Sequence, residues 1–199
     1  CDVRGTACVA AGRATGTTGA GRGGRGGRAG GGGGVAGLAD AGPPVVLSPD
    51  GKRAAFIRNW NLWVRDVATG QERALTTDGV RNFGYATDNA GWASSDRAML
   101  LWSPDSRKIA TQQQDERNVG EMYLVRTTVG HPELRAWKYP LPGDSVVAMV
   151  HRVIIDVEAG TVVRLQMPPD FHRATLGDNL SMNDYNWSPD GTRLALAST

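Results

Sequence analysis

At 199 residues with a formal charge of +2, the chain has room for one domain of ordinary size, and its charge is too small to point to a nucleic-acid or membrane partner across the whole molecule. No stretch approaches the roughly 18 apolar residues that a membrane helix needs, so no membrane span is expected. Both cysteines, Cys1 and Cys8, fall in a glycine-rich start, which leaves the folded part without disulfide or thiol chemistry.

Residues 1 to 42 hold sixteen of the 27 glycines and almost nothing large and apolar, so they read as a disordered low-complexity tail. Arg22, Arg25 and Arg28 are spaced like an arm for single-stranded nucleic acid, but such arms need aromatic residues for stacking and the first aromatic is Phe56. A linker is the plainer reading, and no nucleic-acid partner is expected. The segment also lacks the apolar core of a secretory signal.

From Val45 the texture changes. A Ser-Pro-Asp turn occurs three times, at Ser48-Pro49-Asp50-Gly51, Ser103-Pro104-Asp105-Ser106 and Ser188-Pro189-Asp190-Gly191, and each copy leads into a short alanine-containing strand. Proline presets φ, aspartate bonds the amides ahead of it, and a small fourth residue relieves crowding as the chain reverses. Trp102 and Trp187 stand just before the second and third copies. Such units cannot bury an apolar face alone, which predicts an all-β fold: a partial β-propeller of about three to four blades of short antiparallel strands over residues 45 to 199.

In chain order, strands are predicted at Arg53 to Arg58, Asn61 to Val67 and Gln71 to Leu75. Residues 76 to 96 show no sustained period and read as an excursion, the kind of insertion that carries function on a rigid scaffold. Further strands are expected at Ile109 to Gln113, Glu121 to Arg126 and Trp137 to Tyr139, broken by Pro140-Leu141-Pro142-Gly143-Asp144. A hairpin of Arg152 to Val157 and Thr161 to Gln166 follows, and Asn183 to Trp187 returns the chain to the third turn. Spacings of 55 and 85 residues between turns exceed a standard blade, implying insertions or a skipped blade. The start at Cys1 and the stop behind Ala195-Leu196-Ala197 read as a fragment, truncated at its C-terminus.

The ordered set Phe83-Gly84-Tyr85-Ala86-Thr87-Asp88-Asn89-Ala90-Gly91-Trp92, Trp102-Ser103-Pro104-Asp105, Gly120-Glu121-Met122-Tyr123 and Ala136-Trp137-Lys138-Tyr139-Pro140 to Asp144 resembles the N-terminal propeller of bacterial dipeptidyl peptidase IV-like serine peptidases. The resemblance implies a non-catalytic propeller that gates an α/β-hydrolase domain and positions the N-terminus of a peptide or protein substrate. It also implies a periplasmic or secreted location and allows a homodimer. No cofactor is implied. In the family an acidic pair follows an aromatic residue and binds the substrate's ammonium group. The corresponding stretch here is Tyr85-Ala86-Thr87-Asp88, in which Asp88 alone is acidic, and Glu116 or Asp115 could serve instead. Tyr85, Thr87, Asp88 and Glu116 are therefore the candidate substrate-binding residues. The chain contains no Gly-x-Ser-x-Gly elbow, so the catalytic serine, aspartate and histidine are expected elsewhere and the chain alone should be inactive. The histidines, His131, His151 and His172, are expected at strand edges or in loops, and with no core cysteine nothing has metal spacing. Asp115-Glu116-Arg117 reads as a solvated charge cluster. The competing function is a stand-alone periplasmic propeller that binds proteins.

Overall fold

The computed structural model describes residues 44–88, 96–127, 129–172 and 184–198; the expected tail lies outside them. Strands β1 (Val46–Leu47), β2 (Arg53–Arg58), β3 (Asn61–Asp66) and β4 (Glu72–Ala74) form an antiparallel sheet in sequence order. Asn59 and Trp60, at φ 49° and 61°, make the two-residue turn between β2 and β3, a hairpin whose twist suits the strands it joins. Leu62 and Val64 are buried while Trp63 and Arg65 are half-exposed, the alternation read from the sequence.

The second sheet is more elaborate. β5 (Phe83–Tyr85) and β6 (Leu100–Trp102) lie end to end along one edge of β7 (Lys108–Asp115). The chain then runs out into a separate two-stranded arm, β8 (Glu121–Arg126) and β9 (Glu133–Lys138), with Tyr123, Leu124, Val125 and Leu134 exposed. It returns as β10 (Met149–Asp156), which pairs with the other edge of β7 over its whole length and carries β11 (Val162–Arg164) and β12 (Asp170–Phe171) beyond it. A third sheet begins with β13 (Tyr185–Trp187) and β14 (Leu194–Leu196). The described residues thus make two blades of a propeller and the first hairpin of a third. The 85-residue spacing is filled by the arm, and the third turn packs directly on the second.

Four expectations about the strands need correction. Residues 76 to 96 hold a blade strand after all, because β5 pairs with Asp115, Gln114 and Gln113 and so begins the blade's first strand line. β7 is longer than expected and includes all three glutamines, and β9 starts at Glu133 rather than Trp137. His151 lies inside β10, opposite Gln113, rather than at a strand edge or in a loop.

The turns repeat atom by atom. In each, the serine hydroxyl donates to the aspartate at 2.5 to 2.6 Å and accepts from the amide five residues on, at 2.8 to 3.0 Å. The fourth residue is left-handed in all three: Gly51 at φ 71°, Ser106 at 60° and Gly191 at 68°. Neighbouring repeats also interlock. Trp102 Nε1 donates to Val46 O at 3.2 Å and Trp187 Nε1 to Leu101 O at 3.3 Å, the acceptor in each case lying two residues before the preceding repeat's serine. Asp50 N donates to Ser106 Oγ at 3.2 Å, and Lys108 Nζ to Gly191 O at 3.3 Å. A Cβ on Gly191 would stand 3.1 Å from the Asp105 carboxyl carbon, so glycine suits the turn there both for its φ of 68° and for this close approach.

Because side chains alternate along a strand, the second blade turns different residues to its two sides. One side packs Tyr85, Leu100, Trp102, Ile109, Val153 and Ile155 against Leu62, Val64 and Leu75 of the first blade. The other sets Ala110 and Ile154 against Tyr185, Trp187 and Leu194 of the third.

Candidate functional site

The excursion leaves the second blade at Ala86 and returns at Met99, in the gap between β5 and β6. Ala86 N donates to Gln112 O at 2.8 Å, Met99 N to Ala86 O at 2.8 Å, and Thr111 Oγ1 to Met99 O at 2.6 Å. Both roots of the excursion are therefore tied to β7. Ala86 is fully buried and held at φ 54°, a left-handed conformation that disfavours any side chain by about 1–2 kcal/mol. The chain folds back so tightly that a Cβ on Gly84 would lie 2.7 Å from Thr87 Cγ2, which is why glycine precedes Tyr85.

The four candidate residues lie around β5 and the end of β7, with Tyr85 on the side toward the first blade and Glu116 on the other side. Tyr85 is 3 % exposed and faces the first blade; its hydroxyl donates to Asp78 at 3.2 Å, and burial pushes it up to about 12. Thr87 is buried, with its hydroxyl 3.3 Å from Gly84 O. Glu116 is 4 % exposed, contrary to the solvated cluster expected of it; its amide donates to Asn82 O at 2.8 Å, which extends the β5–β7 ladder by one pair at the end away from Ala86. Burial raises the Glu116 carboxyl to about 7 against the pull of the Lys138 ammonium, and the charge of Asp88 adds to the rise. Asp88 retains some exposure, and its Oδ1 stands 3.5 Å from His172 Nε2. Residues 89–95, the rest of the excursion, lie outside the described residues. Asp115 and Arg117 do form a partly exposed pair at 2.7 Å, with the Arg117 guanidinium 4.0 Å over the Phe83 ring.

The residues that sequence reasoning missed share the sheet side occupied by Glu116. Gln112, Gln114, Arg152, Asp170 and His172 are all buried. Arg152 Nε donates to Asp170 Oδ2 at 2.8 Å, its Nη2 lies 3.6 Å from Asp184, and its guanidinium sits 4.9 Å over the Tyr185 ring. Ser198 Oγ donates to Asp170 Oδ1 at 2.6 Å. The one available signal was the run Gln112-Gln113-Gln114, a polar stretch that a solvated strand would not need on both sides. Away from this site, a hollow of about 250 Å³ on the first blade is lined by Arg53, Asp66, Glu72 and Arg73. Its arginines are engaged structurally: Arg53 pairs with Glu158 at 2.9 Å and Arg73 donates to Val157 O. Among the described residues no helix is long and apolar enough to cross a membrane.

A family model described as the dipeptidyl peptidase IV (DPP IV) N-terminal region matches residues 43–199. The probable dipeptidyl-aminopeptidase B of Penicillium rubens is 27% identical over 161 residues, covering 72% of this chain and 17% of the relative; that of Emericella nidulans is 28% identical over 139 residues, covering 62% and 15%. The chain thus spans about one sixth of the length of these curated relatives. The crystal structure of Porphyromonas gingivalis dipeptidyl peptidase 4 aligns with 64% of this chain and 19% of its own, at 24% identity and a TM-score of 0.54, and shares the propeller fold. With four-fifths of its sequence matched by that model, the chain belongs to the family of dipeptidyl peptidase IV N-terminal regions.

Proposed function

We propose that the chain is the non-catalytic propeller of a dipeptidyl peptidase IV-like serine exopeptidase, gating access and positioning a peptide's free N-terminus for an α/β-hydrolase domain. The observation that carries this reading is Asp88: it is the carboxylate at the excursion's root, its side chain keeps 16% exposure, and its charge reaches the buried Glu116. A carboxylate in that place can accept charge-assisted hydrogen bonds from a primary ammonium and so hold the substrate at a fixed distance from a nucleophile. Tyr85 and Thr87 act as the support of the Asp88 backbone, and Glu116, buried with its carboxyl raised to about 7, as the second carboxyl of the pair. No cofactor is needed for this role. We place the protein in the periplasm or outside the cell.

The test is kinetic, in the protein with its hydrolase domain. Asp88→Ala raises KM about tenfold or more for dipeptide substrates with a free amine, the loss expected for a hydrogen bond to a charged group, and leaves N-blocked substrates nearly unchanged. Equal effects on both would overturn the anchor role. A second reading, a propeller that binds protein partners or a second copy of itself, is favoured by the exposed apolar residues of the β8–β9 arm. Tyr123→Ser with Leu134→Ser would then abolish association measured by light scattering while sparing peptide hydrolysis.

A further inference from the structure

Asp88 and His172 follow the two outer strands of one stack. At this end of the second blade the order is β5, β7, β10, β12, so the strand before Asp88 and the strand before His172 stand three strand spacings apart, roughly 14 Å. Their side chains meet all the same, His172 Nε2 lying 3.5 Å from Asp88 Oδ1. Both chains turn inward to do so. The Thr87 carbonyl accepts from Gln112 Nε2 at 3.4 Å, and Gln112 shares with Ala110 the side of β7 that faces the third blade. His172 comes to that side because Asp170, two residues earlier on β12, is paired there with Arg152 at 2.8 Å.

The two partners are held unequally. The His172 side chain is 1 % exposed, its backbone amide donates to Ala148 O at 2.9 Å, and Asp170 beside it is fixed by Arg152 and by Ser198 Oγ at 2.6 Å. The Asp88 side chain keeps 16 % exposure, while Oδ1, the oxygen toward the ring, is buried. A carboxylate on an irregular segment would have to be ordered by whatever it binds, and that ordering costs affinity. An N–H at Nε2 directed to Oδ1 orders it beforehand and leaves Oδ2 to the ligand.

We propose that His172 is the positioning residue for the Asp88 carboxylate, holding Oδ1 from the far edge of the blade so that Oδ2 meets the ammonium group of a peptide. The proposal rests on Asp88 being the amine anchor. With its side chain buried, His172 acts through Asp88 and does not touch the substrate.

In the protein with its hydrolase domain, His172→Phe keeps the bulk of a ring and removes the donor. It should raise KM for dipeptide anilides with a free amine about fivefold, the loss of one hydrogen bond, with kcat within about twofold and N-acetylated substrates nearly unchanged. His172→Gln, whose amide sets an N–H near the place of Nε2, should bring KM back to within about twofold of the wild type. A KM unchanged in His172→Phe, raised equally in His172→Gln, or raised as much for N-acetylated substrates overturns the positioning role, and a selective loss in Asp88→Ala then leaves the anchor reading standing. If Asp88→Ala loses no amine selectivity, the anchor reading and this proposal fall together. Should His172→Phe fail to fold, nitrogen NMR of the histidines decides. The Nε2 signal, assigned by its absence from His172→Gln, should move on adding alanyl-alanine and stay in place with the N-acetylated dipeptide; any other response overturns the proposal.

Discussion

The side of the second blade that faces the first carries Ile109, Val153, Ile155, Leu100 and Trp102, while the side that faces the third carries, toward the excursion, Gln112, Gln114, Glu116, Arg152, Asp170 and His172. Both are buried to the same degree. The apolar side can be held by area alone and tolerates small shifts in geometry. The polar side must satisfy each donor and acceptor and is fixed in register by its bonds. A blade with one side of each kind has its scaffold on the first and its adjustable chemistry on the second, next to the loop that the function needs placed.

The sharpest way to break that contrast is to remove one large contribution from each side. Trp102→Ala should cost about 3–5 kcal/mol, since the indole is 6 % exposed between blades and also donates to Val46 O. Asp170→Ala should cost a similar 3–5 kcal/mol for a different reason, the stranding of a buried guanidinium. Denaturant midpoints distinguish the two: replacing the pair together, Arg152→Met with Asp170→Leu, should bring stability back near the wild type, whereas no second substitution of that kind rescues Trp102→Ala. A double variant as unstable as Asp170→Ala would mean that the polar side is held by its ion pair rather than merely intolerant of half of it.

A smaller effect comes from Glu116. Its folded-state value of about 7 lies above the ordinary 4.5, so at pH below about 4.5 the carboxyl is neutral whether folded or unfolded and there is no penalty. As pH rises toward 7 the unfolded chain ionises while the folded one resists, and stability falls by up to about 3 kcal/mol. Glu116→Gln should therefore match the wild type at pH 4, exceed it in stability at pH 8, and flatten the pH profile between. A variant equally stable or less stable at pH 8 would show that the charged form is paired well enough to offset its burial.

The apolar side was legible in the sequence and the polar side was not, for one physical reason. Leu62 and Val64, or Trp102 and Trp187 before their turns, announce burial by hydrophobicity, and the Ser-Pro-Asp turns announce where strands begin. Gln112, Gln114 and Glu116 are buried by strands that flank theirs from far off in sequence: Arg152, opposite Gln112, lies forty residues on. Periodicity cannot see such pairs, so β7 was expected to end at Gln113 and Glu116 to be solvated. β5 escaped for a related reason, since three residues pairing with the far end of β7 leave no pattern of their own. Tyr85 to Asp88 were found because a family resemblance marked the stretch. That Glu116, named only as a substitute, packs near Asp88 follows from the fold of β7 and from nothing adjacent in sequence.

The smallest expected effect lies in the turns, which meet the two sides alike. Ser106 is the one copy of the fourth position that is not glycine, and it is held at φ 60°. Its backbone strain of about 1–2 kcal/mol is offset by the bond from Asp50 N at 3.2 Å, a link to the first blade that neither glycine copy can make. Ser106→Gly relieves the strain but loses that bond and loosens the unfolded chain, so it should change stability by less than about 1 kcal/mol. Ser106→Ala keeps the strain and loses the bond, and should be the less stable of the two by about 1 kcal/mol. If alanine proves as stable as glycine, the left-handed backbone is not what glycine serves in the other two turns, and the contact of Gly191 with Asp105 at 3.1 Å becomes the reason for glycine on the side facing the third blade.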